Sequence, residues 1–194
     1  MSSASSSILN VPMPQFKAFS PAVEIWGGSL LAMVEGLALA GMPRDESLAL
    51  LGRAGVLDPD REGWYSHQAL LDTLREAKGR YGEGALRAAG RAIPVGSRFP
   101  PEVETLERAL LTLDIAYQVN HRGGRIGHYT CKPLGPRRME LYCDNPYGCE
   151  LDQGILETLL AHHAPAENPP SLSHQRGTGC RKEGQRACIY HIEW

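Results

Sequence analysis

The sequence predicts an α+β fold in which N-terminal helices pack on a C-terminal antiparallel sheet. Up to about Tyr117, apolar residues recur at spacings of three and four, the helical period. Beyond Arg122-Gly123-Gly124 the period changes, and short strand-like runs alternate with glycine and proline turns. Helices first and strands later is an α+β order, not the alternation of a parallel sheet. At 194 residues, 42% of them hydrophobic, the chain suits one compact unit with its own core. Residues 1–20 carry Ser and Pro and little charge, which predicts a disordered or extended arm. Residues 21–194 then form a single ligand-binding domain.

The elements follow in order. Ser29 to about Gly41 is strongly apolar and reads as a buried helix. Asp45 to Ala54 is a second helix, stopped by Gly55. Ser66 caps a third, with Leu70, Leu71, Leu74 and Ala77 on one face. Glu83 to Ile93 is a fourth, closed by Pro94. Pro101 opens the clearest helix, with Glu102 and Glu104 complementing its positive end and a stripe of Val103, Leu106, Leu110, Leu113 and Tyr117. That stripe reads as core rather than a dedicated cofactor box, with an extension to a dimer interface as a further reading. Two strands follow, Ile126 to Lys132 and Arg138 to Cys143, and then an apolar helix from Leu151 to Ala164. A last hairpin pairs Ser171–Cys180 with Ala187–Trp194 around Glu183-Gly184.

Composition excludes several classes. A net charge of -2 gives no electrostatic footprint for nucleic acid. The basic pairs Arg137-Arg138 and Arg181-Lys182 read as solvated turn charges. No stretch is long and apolar enough to span a membrane, and the start lacks the signature of a signal peptide. A cytoplasmic location is expected, with all five cysteines reduced.

The tail carries the most information. Cys180 and Cys188 flank a glycine turn, an arrangement that brings two sulfurs together. Zinc takes four ligands in a tetrahedron, so two more are needed, and Cys149 and His174 are the leading candidates. The alternative is two small buried residues facing each other across a hairpin. The stretch from Cys149 to Trp194 resembles the 4-vinyl-reductase domain of phenol-sensing transcriptional activators and bacteriochlorophyll-related proteins. The residues that carry the resemblance are Cys149 with Gly154, then Cys180, Gly184 and Cys188. It implies a small-molecule-sensing domain with a structural zinc beside its ligand pocket, held by three cysteines and a glutamate. Gly177 stands where that glutamate is expected, so His174 is taken as the substitute. The front half, Leu30 to Gly55 and Trp64 to Gly90, is similar in rhythm to the related haem nitric-oxide-binding domain. That family's Tyr-x-Ser-x-Arg motif is absent, and His128-Tyr129-Thr130-Cys131 does not supply it, so haem is not expected. Trafficking-complex subunits of similar fold imply a third use, as a dimeric scaffold.

An apolar pocket is expected between the helix ending at Tyr117, the Leu151–Ala164 helix and the sheet, with Trp64, Phe99, Tyr117, His121, His128 and Tyr129 near it. The functional expectation is a sensor or signalling module for a small hydrophobic or aromatic molecule, acting as a homodimer or through a partner protein. The alternatives are a small enzyme using Cys149, His121 or His128, and a scaffold with a vestigial pocket. Paired carboxylates near Cys149 read as caps, with Glu150 and Asp152 at the positive end of the following helix.

Overall fold

The computed structural model describes residues 14–100, 103–165 and 169–194. Most of the expected arm lies outside these residues, as do Pro101, Glu102 and Asn168. The described end of the arm is docked: Phe16 is buried, and its N–H donates to Pro146 O at 2.6 Å.

The chain order is β1 (Glu24–Trp26), α1 (Gly27–Leu39), α2 (Arg44–Arg53), β2 (Trp64–Ser66), α3 (His67–Tyr81), α4 (Glu83–Gly96) and α5 (Leu106–Val119). Next come β3 (His121–Arg122), β4 (His128–Gly135), β5 (Arg138–Asp144), α6 (Cys149–His163), β6 (Ser171–His174) and β7 (Cys188–Glu193). The main sheet is antiparallel, in the order β4-β5-β7-β6. The α+β expectation holds.

Ser66 caps α3 as its position implies, accepting from Ala69 N–H. Among the boundaries that move are those of α4 and α5. α4 runs through Pro94 to Gly96, because a missing N–H in the last turn forfeits only one bond. α5 begins at Leu106, where Thr105 accepts from Arg108 N–H.

A small sheet, β2-β1-β3, escapes the sequence reading. Its strands are too short to show a two-residue alternation. With β2 and β3 on opposite edges of β1, it nevertheless brings together His67, which opens α3 directly after β2, and His121, which opens β3 just past the end of α5.

Helix α4 lies against both α1 and α6 at glycine contacts. A Cβ on Gly154 would sit 2.1 Å from Arg87 O, and one on Gly90 would sit 2.1 Å from Leu151 O. A Cβ on Gly36 would come within 2.5 Å of Ala88 O. Only glycine lets these backbones approach so closely. The resulting core is continuous from Val23 and Ile25 through Leu30, Leu70 and Leu86 to Leu156 and Ile192.

Candidate functional site: a buried histidine–tyrosine cavity and a thiol cluster

A cavity of about 40 Å³ lies where β1, α1, the end of α4, α5 and α6 converge. Met33, Ile93, Leu113 and Ile155 supply its apolar wall, and Phe99, Tyr117, Tyr129, Tyr147 and His121 close it. Of the expected pocket residues, Phe99, Tyr117, His121 and Tyr129 line this cavity. Trp64 and His128 do not. Trp64 sits outside, with the Arg122 guanidinium 4.6 Å from its ring centre. His128 is exposed, 3.3 Å from Asp114.

The polar atoms at the cavity wall satisfy one another. His121 Nδ1 is 2.8 Å from Tyr117 O, so this nitrogen carries the proton and donates to the carbonyl. His121 Nε2 is then an acceptor, and Tyr147 O–H donates to it at 3.0 Å. The Tyr147 oxygen in turn accepts from His67 Nε2–H at 2.9 Å. Ser29 O–H donates to Asn120 Oδ1 at 3.0 Å, and Asn120 donates back to Arg98 O and Ala116 O. The space therefore meets mostly carbon. Burial drives His121 down to about 4, outweighing its hydrogen bond to Tyr117 O. Burial also lowers His67 well below its usual range, helped by the neighbouring His121. Both imidazoles are neutral near pH 7.

A second constellation stands at the start of α6. The ligating atoms of Cys149, His174, Cys180 and Cys188 all lie within 4.8 Å of one another. Cys149 Sγ is 3.2 Å from Cys188 Sγ and 3.7 Å from Cys180 Sγ. His174 stacks on Tyr190 at 4.5 Å, and its buried Nε2 has no hydrogen-bond partner. Burial lowers the His174 pKa and favours the neutral imidazole that a metal needs. The hairpin reading placed Cys180 on a strand, but that strand ends at His174. Cys180 precedes a 3-10 turn, Arg181–Glu183, which ends at Gly184 with a left-handed φ of 80°. That turn directs Cys180 back toward Cys149.

The reading of Arg181 as a solvated turn charge is overturned. Its side chain is fully buried, in an ion pair of 2.5 Å with the equally buried Asp152. Arg181 Nε also donates to Cys188 Sγ at 3.3 Å, and a terminal nitrogen donates to Asn145 Oδ1 at 2.7 Å. Asp152 is more than a helix cap, since it accepts from Tyr129 O–H at 2.7 Å and Asn145 Nδ2 at 2.9 Å. In sequence, Arg181 beside a charged neighbour in a glycine turn looks like any surface cation. Lys182 does remain partly exposed, paired with Glu150 and Glu83.

No protein-family model matches the chain, and no curated protein matches it. Solved structures do. The chain is similar to an H-NOX protein from S. oneidensis in the Fe(II) ligation state, at 17% identity and TM-score 0.63, over 86% of this chain and 94% of that one. The Fe(II)NO state of an H-NOX protein from the same organism gives 14% identity and TM-score 0.64, over 86% and 97%. A mutant H-NOX of T. tengcongensis gives 15% and 0.58, over 86% and 96%. The fold is thus that of the H-NOX domains.

This corrects the expectation that set haem aside. The neighbours are described in Fe(II), Fe(II)NO and Fe(II)CO states, and one through its haem potential and porphyrin distortion. The missing Tyr-x-Ser-x-Arg motif was a local signal, whereas the likeness spans most of the chain. In the cavity, His121 offers a neutral imidazole, but both its ring nitrogens are already hydrogen-bonded. A space of about 40 Å³ does not fit a porphyrin with the side chains as they stand, since one water needs roughly 10–15 Å³ of such space. Among the described residues, no helix is long and apolar enough to cross a membrane.

Proposed function

We propose that this chain is a small-molecule-sensing module of the 4-vinyl-reductase type, with a structural zinc held by Cys149, His174, Cys180 and Cys188. The observation that carries the reading is the convergence of these four ligating atoms within 4.8 Å. Cys149 lies 25 residues or more before the other three in sequence, and the buried Nε2 of His174 has no hydrogen-bond partner. Three thiolates and one imidazole form a closed structural zinc set, with no open position for a reacting water. Such a metal ties the start of α6 to β6, β7 and the 3-10 turn.

The cavity beside it is the sensing site in this reading. Its guest is a small hydrophobic or aromatic molecule, admitted by movement of Phe99 and Ile93. The cytoplasm is the proposed setting, with a second copy or a partner protein receiving the signal. The H-NOX-like architecture makes haem a further group to assay directly, through Soret absorption of the purified protein.

Elemental analysis and native mass spectrometry of protein purified without added metal test the zinc site. One zinc per chain, lost in the Cys180→Ser/Cys188→Ser variant, is expected. Metal-free protein with four unliganded, titratable groups would overturn it. Native mass spectrometry also identifies any co-purified guest.

A further inference from the structure

Between the thiol cluster and the cavity runs a chain of buried polar contacts. It begins at Cys188 Sγ, which accepts from Arg181 Nε at 3.3 Å. The guanidinium passes to Asp152 at 2.5 Å, and Asp152 Oδ1 accepts from Tyr129 O–H at 2.7 Å. The Tyr129 ring is cavity wall, edge-on to Tyr117 at 5.1 Å. A second arm leaves the same guanidinium for Asn145 Oδ1, which also accepts from the N–H of Tyr147, another wall residue.

Core stability alone does not call for such a chain. Burying an arginine and an aspartate is no better than burying well-packed apolar residues, and is often worse. A metal centre gives the arrangement a reason. Three thiolates and a neutral imidazole around a divalent cation carry a net charge of minus one. Arg181 places its positive charge and a directed N–H on one of those sulfurs. Asp152 holds the plane of the guanidinium, and Tyr129 and Asn145 hold Asp152. Groups of this kind orient ligands and commonly set metal affinity by about 10–100-fold.

We propose that Arg181 is the positioning residue of the metal centre and that the Arg181–Asp152–Tyr129 chain couples metal affinity to the cavity wall. This rests on the zinc reading above. A guest that displaces the Tyr129 ring moves the hydroxyl that orients Asp152, and through it the N–H on Cys188. The coupling is reciprocal, so loading the metal also biases the cavity.

The test uses the full chain, with Zn²⁺ affinity measured by chelator competition and Co²⁺ as an optical probe of the thiolates. Arg181→Lys keeps a positive charge opposite Asp152 but loses the N–H aimed at Cys188. Tyr129→Phe removes one hydroxyl and leaves the packing, so it folds even if the first variant does not. Tyr142→Phe is the control, since that hydroxyl bonds Glu140, away from the chain. The expected result is a zinc affinity about 10–100-fold weaker in Arg181→Lys. Tyr129→Phe should be weaker by several-fold and show a shifted cobalt–thiolate charge-transfer band, with Tyr142→Phe unchanged. A purely structural network would lower the melting temperature without moving that band. Wild-type affinity and band in Tyr129→Phe would overturn the coupling while leaving the zinc reading intact. Failure of the wild-type chain to bind Co²⁺ or Zn²⁺ would overturn both.

Discussion

Acid should unfold this protein through His121. Its imidazole is neutral in the fold and titrates at about 4, against 6.5 for a free histidine, because burial disfavours the cation. The unfolded chain therefore takes up a proton between these values that the folded chain refuses. Stability from this residue is fully present above pH 6.5 and is lost as pH falls toward 4. From pH 7 to pH 5, the difference in proton uptake amounts to about 2 kcal/mol. His67 is shifted the same way and adds to the slope. The perturbation is His121→Gln, which cannot titrate but can still accept from Tyr147. Urea unfolding at several pH values, in chelator so that metal loss does not intrude, gives the two stability curves. The wild-type curve should fall about 2 kcal/mol further than that of the variant over this interval. Parallel curves would refute the argument, since they would mean that His121 is protonated or solvated in the folded state.

Four other outcomes follow from the same contacts. Tyr147→Phe leaves His67 Nε2–H and His121 Nε2 buried and unpaired, and should cost about 2–4 kcal/mol in denaturant titration. Gly154→Ala forces α6 away from α4 and should cost about 1–3 kcal/mol or more, whereas Gly79→Ala, whose Cβ meets nothing within 4 Å, should stabilise by about 0.5–1 kcal/mol. Leu113→Ala should cost about 2–5 kcal/mol and enlarge the cavity enough that benzene raises the melting temperature. His174→Ala removes the one nitrogen ligand and should narrow the gap in melting temperature between zinc-loaded and chelator-treated protein.

Much of the helical half was legible because its signals are local. Ser66 announces the start of α3, and the stripe through Leu106, Leu110 and Leu113 marks the buried face of α5. The four residues of the thiol cluster were also legible, since cysteine and histidine are chemically distinctive and few. The small sheet was not, because strands of two or three residues carry no periodicity. Trp64 and His128 were placed at the pocket on residue type alone. The structure sets Trp64 under Arg122 and His128 against Asp114, partners that lie dozens of residues away for the first and on a neighbouring helix for the second.

The sequence by itself determined the class of fold, the order of the helices and of the main-sheet strands, and the cysteine–histidine set, because propensity, capping and residue chemistry act over a few neighbouring positions. Tertiary structure alone decided what lies inside. Arg181 and Asp152 are charged residues in turn and cap positions, and nothing local distinguishes them from solvated ones. Their burial follows from α6, the 3-10 turn and β5 closing around them, with each charge and each polar atom matched by a partner from another element. The tautomers of His121 and His67 were settled in the same way, by the Tyr117 carbonyl at His121 Nδ1 and then by the Tyr147 hydroxyl, which the fold delivers from 26 and 80 residues away.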